Sequence, residues 1–136
     1  MATAKRFEDL DVWQRAKELT NLIYRYSVEG TFARDFGLRD QMRRAAVSIM
    51  SNIAEGFESQ TQAMFIQYLG RAKGSAGELR AQLYIAHEQN YLTDDEFKTT
   101  YSLAEICSKQ LAKFIQFLET QPNARRVRED GVTYDV

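Results

Sequence analysis

The chain has 136 residues, 44% of them hydrophobic and 27% charged, with a formal net charge of −1. This length suits one domain that buries a core without cross-links, and the composition is that of a globular protein. The charge excludes the strongly basic balance of a dedicated nucleic-acid binder. Up to Arg80 there are twelve Lys/Arg against ten Asp/Glu, and beyond it six against nine. A polyanion site has to be a local patch or one built by oligomerisation.

Cys107 is the only cysteine, which excludes an intrachain disulfide and a thiolate metal cluster. The opening MATAKRFEDLDVW lacks the apolar run of a signal peptide. No stretch approaches the roughly 20 apolar residues of a membrane span. A cytoplasmic protein with no membrane partner is expected.

Pro122 is the only proline, and no run alternates β-branched residues, so the chain reads as all-α. A first helix is predicted from about Glu8 to Ser27, with its seam at Trp13, Ala16, Thr20 and Ile23, widened by Leu19 and Tyr26. A linker through Gly30, Thr31 and Phe32 follows. The second helix is predicted over about Asp35 to Glu55, with Gly56 as its C-terminal stop.

This second helix is the most informative segment. Leu38, Met42, Ala45, Ile49 and Ile53 make one apolar face at helical spacing. Gln41, Arg44, Ser48, Asn52 and Glu55 follow the same rhythm one residue away, as a polar ridge beside it. Polar groups of this kind are buried only where they find partners. The segment therefore predicts packing through a specific polar network.

Ser59 with Gln62 has the pattern of a capping box opening a third helix, which continues to about Gln89. Its expected core is Phe65, Tyr68, Ala72, Ala76, Leu79, Leu83 and Ala86. Gly70, Gly74, Ser75, Ala76 and Gly77 fall within eight residues of it. Each interior glycine costs up to about 1 kcal/mol relative to alanine, so close helix approach is the expected compensation. A phosphate cradle is the other reading, but its glycines precede a helix instead of sitting inside one.

Thr93 with Glu96 forms a second capping box, and Asp94 and Asp95 complement the N-terminal dipole of a fourth helix. Phe97, Tyr101, Ala104, Leu111, Ile115 and Leu118 carry it to about Thr120. Leu103, Ile106, Phe114 and Phe117, with Tyr84 and Ile85 on the third helix, leave the core line. A second apolar face of this kind points to a homo-oligomer. Short connections favour antiparallel neighbours. The expected fold is an antiparallel up-down-up-down four-helix bundle over residues 1–120, with a flexible tail over 121–136. The tail carries Arg125, Arg126 and Arg128, read as a solvated cluster in preference to a nucleic-acid arm.

Catalytic constellations are scarce. A di-iron bundle needs two Glu-x-x-His motifs. His87 is the only histidine, and Tyr84 stands where its glutamate would be. Arg80 and His87, seven residues apart, resemble the Arg–His motif of HEPN ribonucleases, but such a pair is easily met by chance. No catalytic, metal or cofactor residue is assigned, and no cofactor is expected.

Three collinear blocks carry a family resemblance: FEDLDVWQRA at 7–16, QMRRAAVSIMSNIAEG at 41–56 and GRAKGSAGEL at 70–79. The chain resembles the 23S ribosomal RNA intervening-sequence proteins, and more distantly the accessory variability protein of diversity-generating retroelements. The resemblance implies a left-handed up-down-up-down bundle and ring-shaped homopentamers. It brings no catalytic residues. The retroelement bundles bind nucleic acid beside a reverse transcriptase, but they are basic and this chain is not.

The reading is therefore a non-enzymatic oligomeric scaffold or interaction protein. Gln41, Arg44, Ser48, Asn52, Glu55, Ser75 and Glu78 form its expected polar network, with Arg44 paired to Glu78. The alternative is a nucleic-acid-binding accessory factor contacting RNA or DNA through Arg34, Arg39, Arg43, Arg71 and Lys73. The expected partners are further copies of the chain, a nucleic acid or another protein.

Overall fold

The computed structural model describes residues 3–121 and 134–135. These form five α-helices: α1 (Asp11–Tyr26), α2 (Gly30–Arg34), α3 (Phe36–Glu58), α4 (Gln62–Glu88) and α5 (Asp94–Glu119). A 3-10 turn over Phe7–Asp9 precedes α1, so the first helix starts three residues later than its periodicity suggested. β1 (Thr3–Ala4) pairs antiparallel with β2 (Tyr134–Asp135), Thr3 opposite Asp135. The rest of the expected tail, including its arginines, lies outside the described residues.

Each long helix is written by its apolar stripe. In α1, Val12, Trp13, Ala16, Leu19, Thr20 and Ile23 are buried at helical spacing. The Thr20 hydroxyl, buried among them, donates to Ala16 O at 2.8 Å and to Ala46 O on α3 at 3.1 Å. In α3 the buried residues are Met42, Ala45, Ala46, Ile49, Ile53, Gly56 and Phe57. The α4 stripe runs Phe65, Leu69, Ala72, Ala76, Leu79, Leu83 and Ala86, so Leu69 takes the inward place expected of Tyr68, which is half-buried.

The long helices touch in a closed cycle, α1 on α3, α3 on α4, α4 on α5 and α5 on α1. Phe57 near the end of α3 meets Phe65 near the start of α4, with ring centroids 6.1 Å apart. Ser48 and Ser75 meet farther along the same pair at 2.9 Å. Phe65 also meets Phe114 near the end of α5 at 5.2 Å. At the opposite end Tyr84 of α4 meets Phe97 of α5 at 5.4 Å.

Three local expectations are corrected. Gly56 does not stop α3, which runs on to Glu58, and its φ is not positive. Its role is steric: a Cβ there would stand 2.9 Å from Phe65 Cδ1 and 2.9 Å from Tyr68 Cβ. Ser59 does not open α4; it closes α3, its Oγ donating to Gly56 O at 2.6 Å, and Thr61 is the N-cap, accepting from Met64 N. The linker around Phe32 is helical, and Phe32 is buried against the Tyr91 ring at 5.2 Å. Tyr91 also donates to Asp35, the N-cap of α3, at 3.0 Å. Two connections at one end of the molecule are thereby joined.

The turn into α5 follows from two signals. Asn90 adopts φ +62°, and Tyr91 N and Asn90 N bond back to Ala86 O and His87 O, the paired bonds of a Schellman ending. Thr93 and Glu96 then form the expected capping box, with bonds of 3.1 and 2.9 Å. In α5, Leu103 and Phe114 are buried, 8% and 7% exposed, and belong to the core instead of a second face. Cys107 is buried beside them, and burial pushes its thiol up to about 12.

Replacing Gly56 with alanine should destabilise the chain by about 1–3 kcal/mol, because overpacking outweighs the gain in helix propensity. Urea unfolding checks this; an equal or higher midpoint would show that Phe65 and Tyr68 give way. A second prediction concerns Asp11, which accepts from Arg15 Nε at 2.8 Å and from Gln110 Nε2 on α5 at 2.6 Å. These bonds, Arg15's first, hold its carboxyl below the ordinary value of 3.8. The stability it contributes is complete above that value and is lost as pH falls through the lowered one. The gap in melting temperature between the parent chain and Asp11→Asn should therefore be constant near neutrality and close in strong acid.

Candidate functional site

The polar ridge of α3 divides in two. Ser48 and Ser75 share a 2.9 Å bond between α3 and α4, and Asn52 Nδ2 donates to Ser48 Oγ at 2.9 Å and to Ser48 O at 2.8 Å. These three short side chains form a half-buried cluster at the seam. Gln41, Arg44, Glu55 and Glu78 are exposed instead. No ion pair joins Arg44 to Glu78 among the described residues, which corrects the expected pairing. Long side chains at the rim of a seam reach water at lower cost than they reach one another.

Arg44 and Glu78 face a common open groove of about 760 Å³, with Tyr24, Asp40, Gln41, Arg43 and Ser48 among its lining. Its charges are mixed. Arg39, whose Nε bonds Asp40 at 2.9 Å, holds that carboxyl below the usual range.

The five residues expected to contact nucleic acid are not gathered. Arg43 donates to Ser27 Oγ at 2.8 Å and Ser27 O at 3.2 Å, closing the C-terminus of α1, and lies over the Tyr24 ring. Arg39 also donates to Ala33 O at 2.9 Å and lies over Phe36. These two guanidiniums are engaged inside the chain. Arg34 stays exposed beside them. Arg71 and Lys73 lie between the Ser48–Ser75 and Phe57–Phe65 contacts, far along α4, and Arg71 lies over Tyr68 at 5.1 Å.

The outward side of α4 differs in kind. Gly70, Gly74 and Ala81 are exposed, and Gly77 is half-buried. A Cβ at Gly70 or Gly74 would meet nothing within 4 Å, so nothing among the described residues requires those glycines. The close helix approach expected at these three glycines is seen at none of them among the described residues; it is at Gly56. Tyr84 and Ile85 continue this side, each 47% exposed, and Ile106 on α5 is 37% exposed.

Arg80 and His87 share a face of α4 with Tyr84 between them. His87 Nε2 lies 2.7 Å from Asp94 Oδ1, and this bond holds the Asp94 carboxyl below its ordinary value. The imidazole stacks on Phe97 with centroids 4.6 Å apart. His87 is thus clasped across the α4–α5 turn. Tyr101 packs edge-on against Tyr84 with centroids 5.3 Å apart, and its nearness raises the Tyr84 hydroxyl above its usual value. Among the described residues no three His, Cys, Asp or Glu side chains gather as a metal site, and no helix is long and apolar enough to cross a membrane.

The seam sorts two substitutions. Ser48→Ala should cost about 1–3 kcal/mol, since it leaves Ser75 and Asn52 short of a partner. Glu78→Ala should stay within about 0.5 kcal/mol of the parent chain, as an exposed group without an ion pair. Chemical denaturation of both variants checks the order; a reversed order would mean that Glu78 is held in solution.

Comparison with known proteins agrees with this architecture. Among solved structures the chain is similar to a protein of unknown function from the S23 ribosomal protein family of Bacteroides thetaiotaomicron. The two share 25% identity with a TM-score of 0.70, over 76% of this chain and 97% of that one. No curated protein matches the chain. The family model for the 23S rRNA-intervening sequence protein matches residues 8–113. With that match spanning α1 to most of α5, the chain belongs to the 23S rRNA-intervening sequence protein family.

Proposed function

We propose that this chain is a non-enzymatic, self-assembling scaffold, built as an antiparallel up-down-up-down four-helix bundle whose outer α4 face receives further copies. The bundle reading rests on the paired ends: the start of α4 lies by the end of both α3 and α5. Short connections between α3, α4 and α5 fit the same topology.

One observation carries the assembly. Gly70 and Gly74 each lower the stability of α4 by up to about 1 kcal/mol, and among the described residues no packed neighbour comes within 4 Å of where their Cβ atoms would stand. A second helix pressed against that side would use the space, and the exposed Tyr84, Ile85 and Ile106 supply apolar area beside it. The face is not self-evidently symmetric, and a head-to-tail contact that closes yields a ring. Five copies are the number implied by the resemblance to ring-forming bundles.

Nucleic acid is the weaker occupant, because Arg39 and Arg43 are already engaged within the chain. The reverse transcriptase associated with the retroelement bundles is the protein partner that the resemblance nominates.

Sedimentation equilibrium should give several times the 15.7 kDa chain mass for the parent protein. Gly74→Gln should sediment at the single-chain mass with its helical circular dichroism intact. A parent protein that sediments as one chain at every concentration, or a variant that assembles as tightly as the parent, would overturn this reading.

A further inference from the structure

Arg80 is half-buried on α4, and its Nε–H is shielded from solvent without an acceptor. No hydrogen bond or ion pair to its guanidinium is found among the described residues. Glu105 on α5 is near enough to act on Tyr84, as Arg80 does with the opposite sign, yet it makes no ion pair with Arg80. A guanidinium partly removed from water and given no counter-charge is a cost the fold leaves standing. The guanidinium lies along α4 toward Gly77: Arg80 Nη2 is 3.7 Å from where a Cβ there would stand.

We propose that Arg80 takes its counter-charge from a carboxylate of a second copy of this chain seated on the outer side of α4, so that the site is incomplete in a single chain. The proposal rests on the self-assembly reading and adds a named charge to it.

Two observations favour a protein carboxylate over a free oxyanion. The adjoining surface of Gly74, Ala81 and Ile85 is small and apolar, and suits an apposed helix. The complementary charge also exists on the chain, since Glu55, Glu58 and Glu78 are exposed and make no ion pair among the described residues. A planar guanidinium accepts a carboxylate through two parallel bonds, which fixes orientation as well as charge.

The test uses the full chain. Arg80→Gln should weaken self-association at least about tenfold by analytical ultracentrifugation, with unchanged helical circular dichroism. Arg80→Lys, mixed as light and 15N-labelled protein and treated with a zero-length carbodiimide, should give an amide from position 80 to an Asp or Glu. Mass spectrometry should show light–heavy pairs, which prove that the bond joins two chains.

If the parent assembles and Arg80→Gln assembles as tightly, the Arg80 assignment fails while the scaffold reading stands. Amides found only within one chain sink it in the same way. If inorganic phosphate stabilises the parent but not Arg80→Gln, and assembly is the same in both, the site holds a free oxyanion and the proposal is wrong. A parent protein that is a single chain at every concentration overturns both readings together.

Discussion

The separation of α3 and α4 at Gly56 constrains much of the rest. With a hydrogen atom in place of a side chain, α3 comes close enough for the Phe65 ring and the Tyr68 Cβ to lie where a methyl group would stand. That approach brings Phe57 against Phe65 and, through Phe65, ties the end of α5 to the same corner. Eight residues back along α3 from Gly56 (about two turns) the same separation lets two serine hydroxyls meet at 2.9 Å. Serine is short, so this bond tolerates little change in the distance between the helix axes. The glycine sets the spacing and the serines measure it.

Much of this was legible in the sequence because the helices bury single stripes. Met42, Ala45, Ile49 and Ile53 are all buried as their periodicity indicated, and so are Ala72, Ala76, Leu79, Leu83 and Ala86. The errors share a cause. Tyr68 and Leu69 both sit beside the α4 stripe, and hydrophobicity alone does not say that the tyrosine ends at the edge and the leucine inside. On α5, Leu103 and Phe114 read as a second face because the inward arc of that helix, packed against both α4 and α1, is wider than one stripe. On α4, by contrast, apolar and glycine positions do remain outside.

The glycines show why a motif can be right in composition and wrong in place. Four of them lie in α3 and α4 between positions 56 and 77, and sequence cannot say which faces a neighbour. Only the structure separates Gly56, pressed by two aromatic residues, from Gly70 and Gly74, which meet nothing within 4 Å among the described residues. The arginines divide likewise. Arg43 completes the end of α1 by binding Ser27, and Arg39 bonds the last turn of α2 through Ala33 O, so charges that looked available for a ligand hold the chain's own corners. Carbonyls at a helix end accept from a nearby guanidinium and so engage it within the chain.

Cys107 sits on α5 at the bottom of the core, with its thiol pushed up to about 12. At cellular pH its sulfur stays in the neutral form, out of reach of oxidants and of other sulfhydryls. Two copies of the chain therefore cannot be welded through this sulfur by oxidation while they remain folded. The same burial makes the lone sulfur a native clock: it becomes chemically visible only during the moments when α5 lifts away, so its rate of modification reports how often the molecule breathes.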